Sequence, residues 1–288
     1  MIVSVSGGKG GTGKSTVAAN LAVLLSEHMD LVLADLDVEA PNDHILLGLE
    51  LGGEEEVVIM LPEIEYGECI KCGVCGEVCD TGAILISPEK LPFVIPRLCS
   101  GCRSCYFACP TKAIKEGGRV IGYTYTARFE NGSRGFGFVT GFLREGEEHT
   151  PPMVLATKRR AMGMKAELHL IDTSAGTSNN VSTAIEGSKL IIAVTEPTPL
   201  GLHDLKMILE LSGEMGVETW IVMNKAGIGP EDGHHKLARE FGSRIVSRIP
   251  YSRAVFDSYV RGIPVVMSHP DSPASKELKR LAEEVMGL

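Results

Sequence analysis

All eight cysteines of this 288-residue chain fall into two runs of four within residues 63–117, a glycine-rich stretch too short to fold on a hydrophobic core alone. The runs are Cys69, Cys72, Cys75, Cys79 and Cys99, Cys102, Cys105, Cys109, each spaced C-x₂-C-x₂-C-x₃-C, and Pro110 follows the second. This is the bacterial-type ligand pattern for [4Fe–4S] clusters. Soft thiolates also suit zinc, but structural zinc sites usually pair two C-x₂-C knuckles across a longer loop. Three cysteines at even gaps plus a fourth, given twice, fit clusters better. The two halves repeat with a period of 30 residues: Cys79-Asp-Thr-Gly-Ala-Ile84 answers Cys109-Pro-Thr-Lys-Ala-Ile114. The stretch is therefore expected to use its metal as its core and to unfold without iron. With every cysteine in the runs, none remains for a disulfide, and a reducing cytoplasm is the expected location.

The flanking segments have a different texture. Short apolar runs (Ile2–Ser6, Leu31–Ala34, Leu168–Ile171, Leu190–Val194, Thr219–Met223) end in polar residues and lead into helix-like segments. That alternation predicts an α/β fold with a doubly wound, mostly parallel sheet, with ligands at the carboxyl ends of its strands. An apolar fraction of 44 % with only 5 % aromatic residues suits such a core. Residues 1–62 and 118–288 are expected to form this domain, interrupted by a small α+β unit at 63–117. Alternation over Val120–Arg128, the pair Asn131-Gly132 and the Phe/Gly-rich Gly135–Leu143 read as a β-hairpin. It would either extend the main sheet or offer a docking surface. Ser272-Pro273 reads as the cap and first turn of a closing helix running to about Met286.

Between the first strand and helix lies Gly8-Lys9-Gly10-Gly11-Thr12-Gly13-Lys14-Ser15-Thr16, a phosphate-binding loop. Its glycines let backbone N–H groups close around phosphate oxygens at a helix N-terminus. Lys14 would bridge the β- and γ-phosphates, and the Ser15 hydroxyl would ligate Mg²⁺. Asp172, ending an apolar strand, suits a Mg²⁺ role. Asp37 suits either catalysis or the tying-down of a loop.

The string Lys9-Gly-Gly-Thr-Gly-Lys14-Ser-Thr16 resembles the deviant Walker A motif of the MinD/ParA superfamily of P-loop ATPases. Asp35-Leu36-Asp37 is similar to its switch I, Asp172-Thr-Ser-Ala-Gly176 to its Walker B and switch II, and Asn224-Lys225 and Ile249-Pro250-Tyr251 to its base-contacting segments. The resemblance implies ATP/ADP and Mg²⁺ as ligands. Lys9, Lys14 and Asp37 would be catalytic, with Lys9 reaching across an ATP-dependent homodimer. Ser15, Asp37 and Asp172 would be metal-facing, and the loop residues 8–16 with Asn224 and Pro250 would bind nucleotide. The cysteine region resembles a two-cluster ferredoxin, which implies crossed ligation: Cys69, Cys72, Cys75 and Cys109 on one [4Fe–4S] cluster, and Cys99, Cys102, Cys105 and Cys79 on the other. Asp80 stands where that pattern has proline.

Together these features predict an ATPase that couples nucleotide state to electron transfer through two clusters, with an unidentified redox or iron–sulfur partner protein. The alternative is a cluster carrier of the Mrp type, against which counts the lack of any cysteine after Cys109. A net charge of −9 argues against nucleic acid as a partner. A terminal helix of mixed charge argues against stable membrane association. His203 is expected to begin a helix, and His234-His235 to lie on a solvated face.

Overall fold

The computed structural model describes residues 1–132 and 134–288. Its strands are β1 (Ile2–Ser6), β2 (Leu31–Asp35), β3 (Gly52–Ile64), β4 (Ile84–Ile86), β5 (Pro92–Val94), β6 (Ile114–Asn131), β7 (Arg134–Leu143), β8 (Leu168–Asp172), β9 (Leu190–Thr195), β10 (Glu218–Ala226) and β11 (Arg244–Pro250). The helices are α1 (Lys14–Leu25), α2 (Asp43–Leu46), α3 (Val74–Glu77), α4 (Ser104–Ala108), α5 (Thr150–Met162), α6 (Asn179–Ile185), α7 (Pro199–Glu214), α8 (Asp232–Glu240), α9 (Arg253–Arg261), α10 (Val265–Ser268) and α11 (Pro273–Met286). Nine strands form one sheet in the order β11-β10-β9-β1-β8-β2-β7-β6-β3. Pairing is parallel from β11 through β7, then antiparallel from β7 to β6 and from β6 to β3.

Alternation along the central strands builds two cores, because successive side chains in a strand point to opposite faces. Val3, Val5, Leu31, Leu33, Leu168 and Leu170 face α1 and α11. Val32, Ala34 and Ile171 face α5, whose Met153, Val154 and Ala161 complete that side. Helix α1 is buried along almost its whole length from Val17 to Leu25, as its apolar sequence demands. α11 begins where the sequence reading put it, with the Ser272 side chain accepting from the Ser275 N–H at 3.1 Å.

The hairpin read at 120–143 is present as β6 and β7, and it extends the main sheet through the β2–β7 pairing. Ser133, between these strands in sequence, lies outside the described residues. β3 pairs along its length with β6, from Gly52↔Thr126 to Ile64↔Ile114, and the first half of β6 runs past the end of β7. A two-stranded ribbon thus leaves the sheet edge and carries residues 65–113 at its tip. β3 bounds the sheet, and exposed Glu54, Glu55, Glu56 and a mid-strand Pro62 keep that edge from recruiting another strand.

α5 lies so close to β7 that a Cβ on Gly141 would collide with Thr157 Oγ1 and stand 2.8 Å from Met153 Cε. We expect Gly141→Ala to lower the unfolding free energy by about 1–3 kcal/mol, as overpacking does. Gly213→Ala, at an open position inside α7, should raise it by about 0.5–1 kcal/mol. Urea midpoints of the two variants check both.

Candidate functional site

The loop between β1 and α1 has Gly11 and Gly13 in left-handed conformations, at φ 80° and 94°. Gly13 is the residue before α1, so its backbone freedom shapes the turn that points N–H groups at an anion. The loop is braced from a strand distant in sequence, β10. Asn224 Nδ2 donates to the Thr12 carbonyl at 2.7 Å, and Lys225 Nζ donates to the Gly11 carbonyl at 2.9 Å. Lys14 is nearly buried, its amine 3.4 Å from the Lys9 carbonyl, and Thr12 is wholly buried. Gly8 passes so close to Asp204 of α7 that no side chain fits there. Above the loop opens a cleft of about 520 Å³, within the roughly 300–1,000 Å³ of small-molecule sites. Gly10, Gly11, Gly13, Lys14, Ser15, Thr16, Asp37, Asn224 and Pro250 all line it, as do Tyr251, Phe256 and Tyr259.

Behind the cleft the sheet ends in buried acids. Ser15 Oγ donates to Asp172 Oδ2 at 2.6 Å, joining two residues that the sequence reading assigned to one metal. Carboxylate oxygens of Asp35, Asp43 and Asp172 lie within 4.8 Å of one another. Burial, reinforced by the neighbouring acids, lifts Asp172 to about 8, and burial lifts Asp35 to about 7 against three backbone N–H groups that favour its anion. Asp43 is pushed up by burial and then by Asp172 and Asp35. Asp37 is also raised by burial, with Lys14 opposing, and its N–H donates to Asp35 Oδ1 at 3.0 Å.

Lys9 does not extend into the cleft. Its amine pairs with Glu196 Oε1 at 2.6 Å, while Lys225 takes Oε2 at 2.9 Å. Burial would raise the Glu196 carboxyl, but hydrogen bonds from Lys9 and Lys225 hold it below its ordinary value. The sequence reading assigned Glu196 no role. A carboxylate after a central strand was the available signal. Asn224 braces the loop through its amide and also lines the cleft. His234 departs from expectation: it is 2 % exposed, buried between its helix and the sheet, and burial holds its imidazole below the usual range. His235 alone faces solvent. His203 lies in the first turns of α7.

At the ribbon tip the sequence repeat is a structural one. Lys71 and Gly101, Gly73 and Arg103, and Gly82 and Lys112, each pair 30 positions apart, share left-handed backbones. Cys79 and Cys109 sit 3.7 and 3.8 Å from the hydroxyls of Thr81 and Thr111. Cys75 in the first run and Cys99 and Cys105 in the second are buried; burial and neighbouring cysteines push the Cys75 and Cys105 thiols up, Cys105 to about 11. Cys69, Cys72 and Cys75 line one cavity together with Cys109 of the other run. The apolar core here is Met60, Ile84 and Ile114 plus Cys75 and Cys105.

A half-buried network ties the tip to the sheet. Arg119 of β6 donates to the Cys99 carbonyl at 3.2 Å and pairs with Glu147, which also accepts from the His149 N–H and ring. Burial works against the Glu147 anion, but these donors hold it down to about 2. A carboxyl depressed from 4.5 contributes its full stability above about pH 4.5 and loses it as pH falls toward 2. Glu147→Gln should flatten the thermal-melting curve against pH across that window, relative to the parent chain.

A strand, a glycine loop and a buried helix, with acids at the carboxyl ends of neighbouring parallel strands, define a P-loop nucleotide-binding domain. The chain belongs to the CobQ/CobB/MinD/ParA nucleotide-binding family, whose model matches residues 3–265. It is 36 % identical over 263 residues to an uncharacterized protein of Methanocaldococcus jannaschii, spanning 91 % of this chain and 90 % of that one. It is 25 % identical over 304 residues to the iron-sulfur cluster carrier protein of Pyrococcus abyssi, covering 99 % and 85 %. Among solved structures it shares its fold with the septum site-determining protein MinD of Pyrococcus horikoshii complexed with Mg-ADP. There the TM-score is 0.61 and the identity 21 %, over 99 % of this chain and 95 % of that one.

Gly13→Ala forces a side chain onto a φ of 94° and into the Asn224 amide. We expect at least about a ten-fold loss of ADP affinity, about 1.4 kcal/mol, with unchanged far-UV circular dichroism; titration with a fluorescent ADP analogue checks it.

Proposed function

We propose that this chain is an ATP-hydrolysing iron–sulfur protein in which nucleotide state governs electron transfer through two [4Fe–4S] clusters held by the tip. The observation that carries this reading is the cavity that Cys69, Cys72 and Cys75 share with Cys109, a fourth thiol supplied from the other repeat. The donor set fits clusters better than zinc. A tetrahedral zinc with Zn–S bonds of about 2.3 Å holds its sulfurs roughly 3.8 Å apart. Among the described residues, the group of metal-binding side chains converging within 4.8 Å is the aspartate cluster, not a set of cysteines. On this reading Cys99, Cys102, Cys105 and Cys79 hold the second cluster, and residues 63–117 form a ferredoxin-like domain inserted between 1–62 and 118–288. The clusters supply one-electron redox chemistry when bound.

At the nucleotide site the chain's own groups do the positioning and charge neutralisation that phosphoryl transfer requires. Loop N–H groups and Lys14 hold the phosphates, and Ser15 and Asp172 hold Mg²⁺, which neutralises phosphate charge when bound. Asp37 orients the attacking water, and Pro250 with Tyr251 flanks the base. Lys9 leaves Glu196 to meet the phosphates of a second copy in an ATP-dependent homodimer. No helix among the described residues is long and apolar enough to cross a membrane. The proposed setting is the cytoplasm, with an iron–sulfur or redox protein as partner and no role for nucleic acid or stable membrane association.

A second reading is cluster delivery. It is favoured by the names of several relatives: beside the Pyrococcus abyssi protein, those of Synechocystis and Aquifex aeolicus are also called iron-sulfur cluster carrier proteins. Ligation by four thiolates of one chain favours retention, hence electron transfer. Anaerobic purification, iron and sulfide determination, and EPR of the reduced protein in Mg-ADP and in a Mg-ATP analogue test the pair. A nucleotide-dependent line shape or potential, with no cluster passed to an apo-acceptor, supports electron transfer. Unchanged spectra with ATP-dependent transfer establish delivery, and zinc in place of iron overturns both. Crossed ligation further predicts that Cys109→Ser loses about half of the iron and the signal of the Cys69–Cys75 cluster.

A further inference from the structure

Asp43 opens the short helix α2, is 0 % exposed, and has no hydrogen-bond partner at either carboxylate oxygen. Buried polar groups are paired with few exceptions, and a buried carboxyl without a partner calls for a ligand. Its surroundings name the kind. Asp43 converges with Asp35 and Asp172 within 4.8 Å, and Asp172 Oδ1 is likewise unpartnered while Oδ2 accepts from Ser15. Three unpartnered carboxylate oxygens in one dry spot, beside the hydroxyl that opens α1, suit a hard divalent cation that takes oxygen donors.

We infer that Asp43 is a metal-positioning residue, facing the nucleotide-site cation from α2 while Ser15 and Asp172 face it from α1 and β8. The backbone makes this more than an added acid. The N–H groups of Asp37, Asn42 and Asp43 all donate to the Asp35 carboxylate, at 3.0, 2.9 and 3.1 Å. The segment from 35 to 43 is therefore a closed loop with Asp37 on its cleft side. A cation drawn toward Asp43 fixes the far end of that loop and with it the place of Asp37. The inference concerns the nucleotide site and stands apart from the clusters.

Mn²⁺ is the probe, its free concentration read by EPR in the presence of saturating ADP, with melting temperature measured with and without the metal. Asp43→Asn and Asp43→Ala are prepared in parallel, since the second removes the acid without adding an amide donor. Removing the acid should weaken Mn²⁺ on the order of ten-fold or more. The metal-free melting temperature should not fall in at least one variant, the metal-induced rise should shrink, and metal-free ADP affinity should hold. Unchanged Mn²⁺ affinity in a folded variant overturns the inference. So does an equal loss of melting temperature with and without metal in both variants, because Asp43 would then serve folding alone.

Discussion

A loop that must present N–H groups to an anion has to keep left-handed glycines and a buried lysine in place before the anion arrives. Here that constraint is met from outside the loop. The Asn224 amide and Lys225 amine, both from the end of β10, hold the carbonyls of Thr12 and Gly11. Those bonds use the carbonyls and leave the loop's N–H groups free to face the cleft. Lys225 itself sits at φ 52°, a conformation that costs a non-glycine residue energy and persists because its amine is tied at both Gly11 and Glu196. The parallel sheet makes this possible, since it brings the ends of β1, β2, β8, β9 and β10 to one edge regardless of their order in sequence.

The same edge sets the electrostatics. Acids end β2 and β8 and open α2, while Lys14, Lys9 and Lys225 approach from the loop side, with Glu196 after β9 pairing the last two. Glu196 bridges two lysines, its single charge easing their mutual repulsion across the loop. Lys9 therefore rests on an internal anion, outside the cleft.

Much of this was legible in the sequence, and for identifiable reasons. Glycine spacing demands a backbone geometry, so Gly11 and Gly13 were readable as loop residues, and the period-two alternation of Val120–Arg128 made the hairpin readable. Apolar runs ending in acids placed Asp35 and Asp172 at the ligand edge. What escaped was whatever depends on tertiary packing. Asp43 looks like an ordinary helix-opening aspartate, and only its burial against β2 and β8 reveals it. His234 and His235 are chemically identical neighbours, and the face of α8 that meets the sheet decides which one is buried. The Arg119–Glu147 contact joins residues with no shared motif.

The ribbon of β3 and β6 has a mechanical consequence. It contains no linker: the hydrogen-bond ladder runs unbroken in direction from the sheet edge to the last pair before the cysteines, with two register shifts along it. The part beyond β7, residues 114–121 of β6 opposite β3, makes at about 3.3 Å per residue a beam roughly 25 Å long. Arg119 and Glu147 clamp it close to where it leaves the sheet, to the segment that leads into α5, and α5 rests on β2. Such a beam does not swing; it twists and bends elastically. The cysteines are thus displayed at a fixed reach and angle from the nucleotide edge, and a partner would sense their orientation rather than their availability.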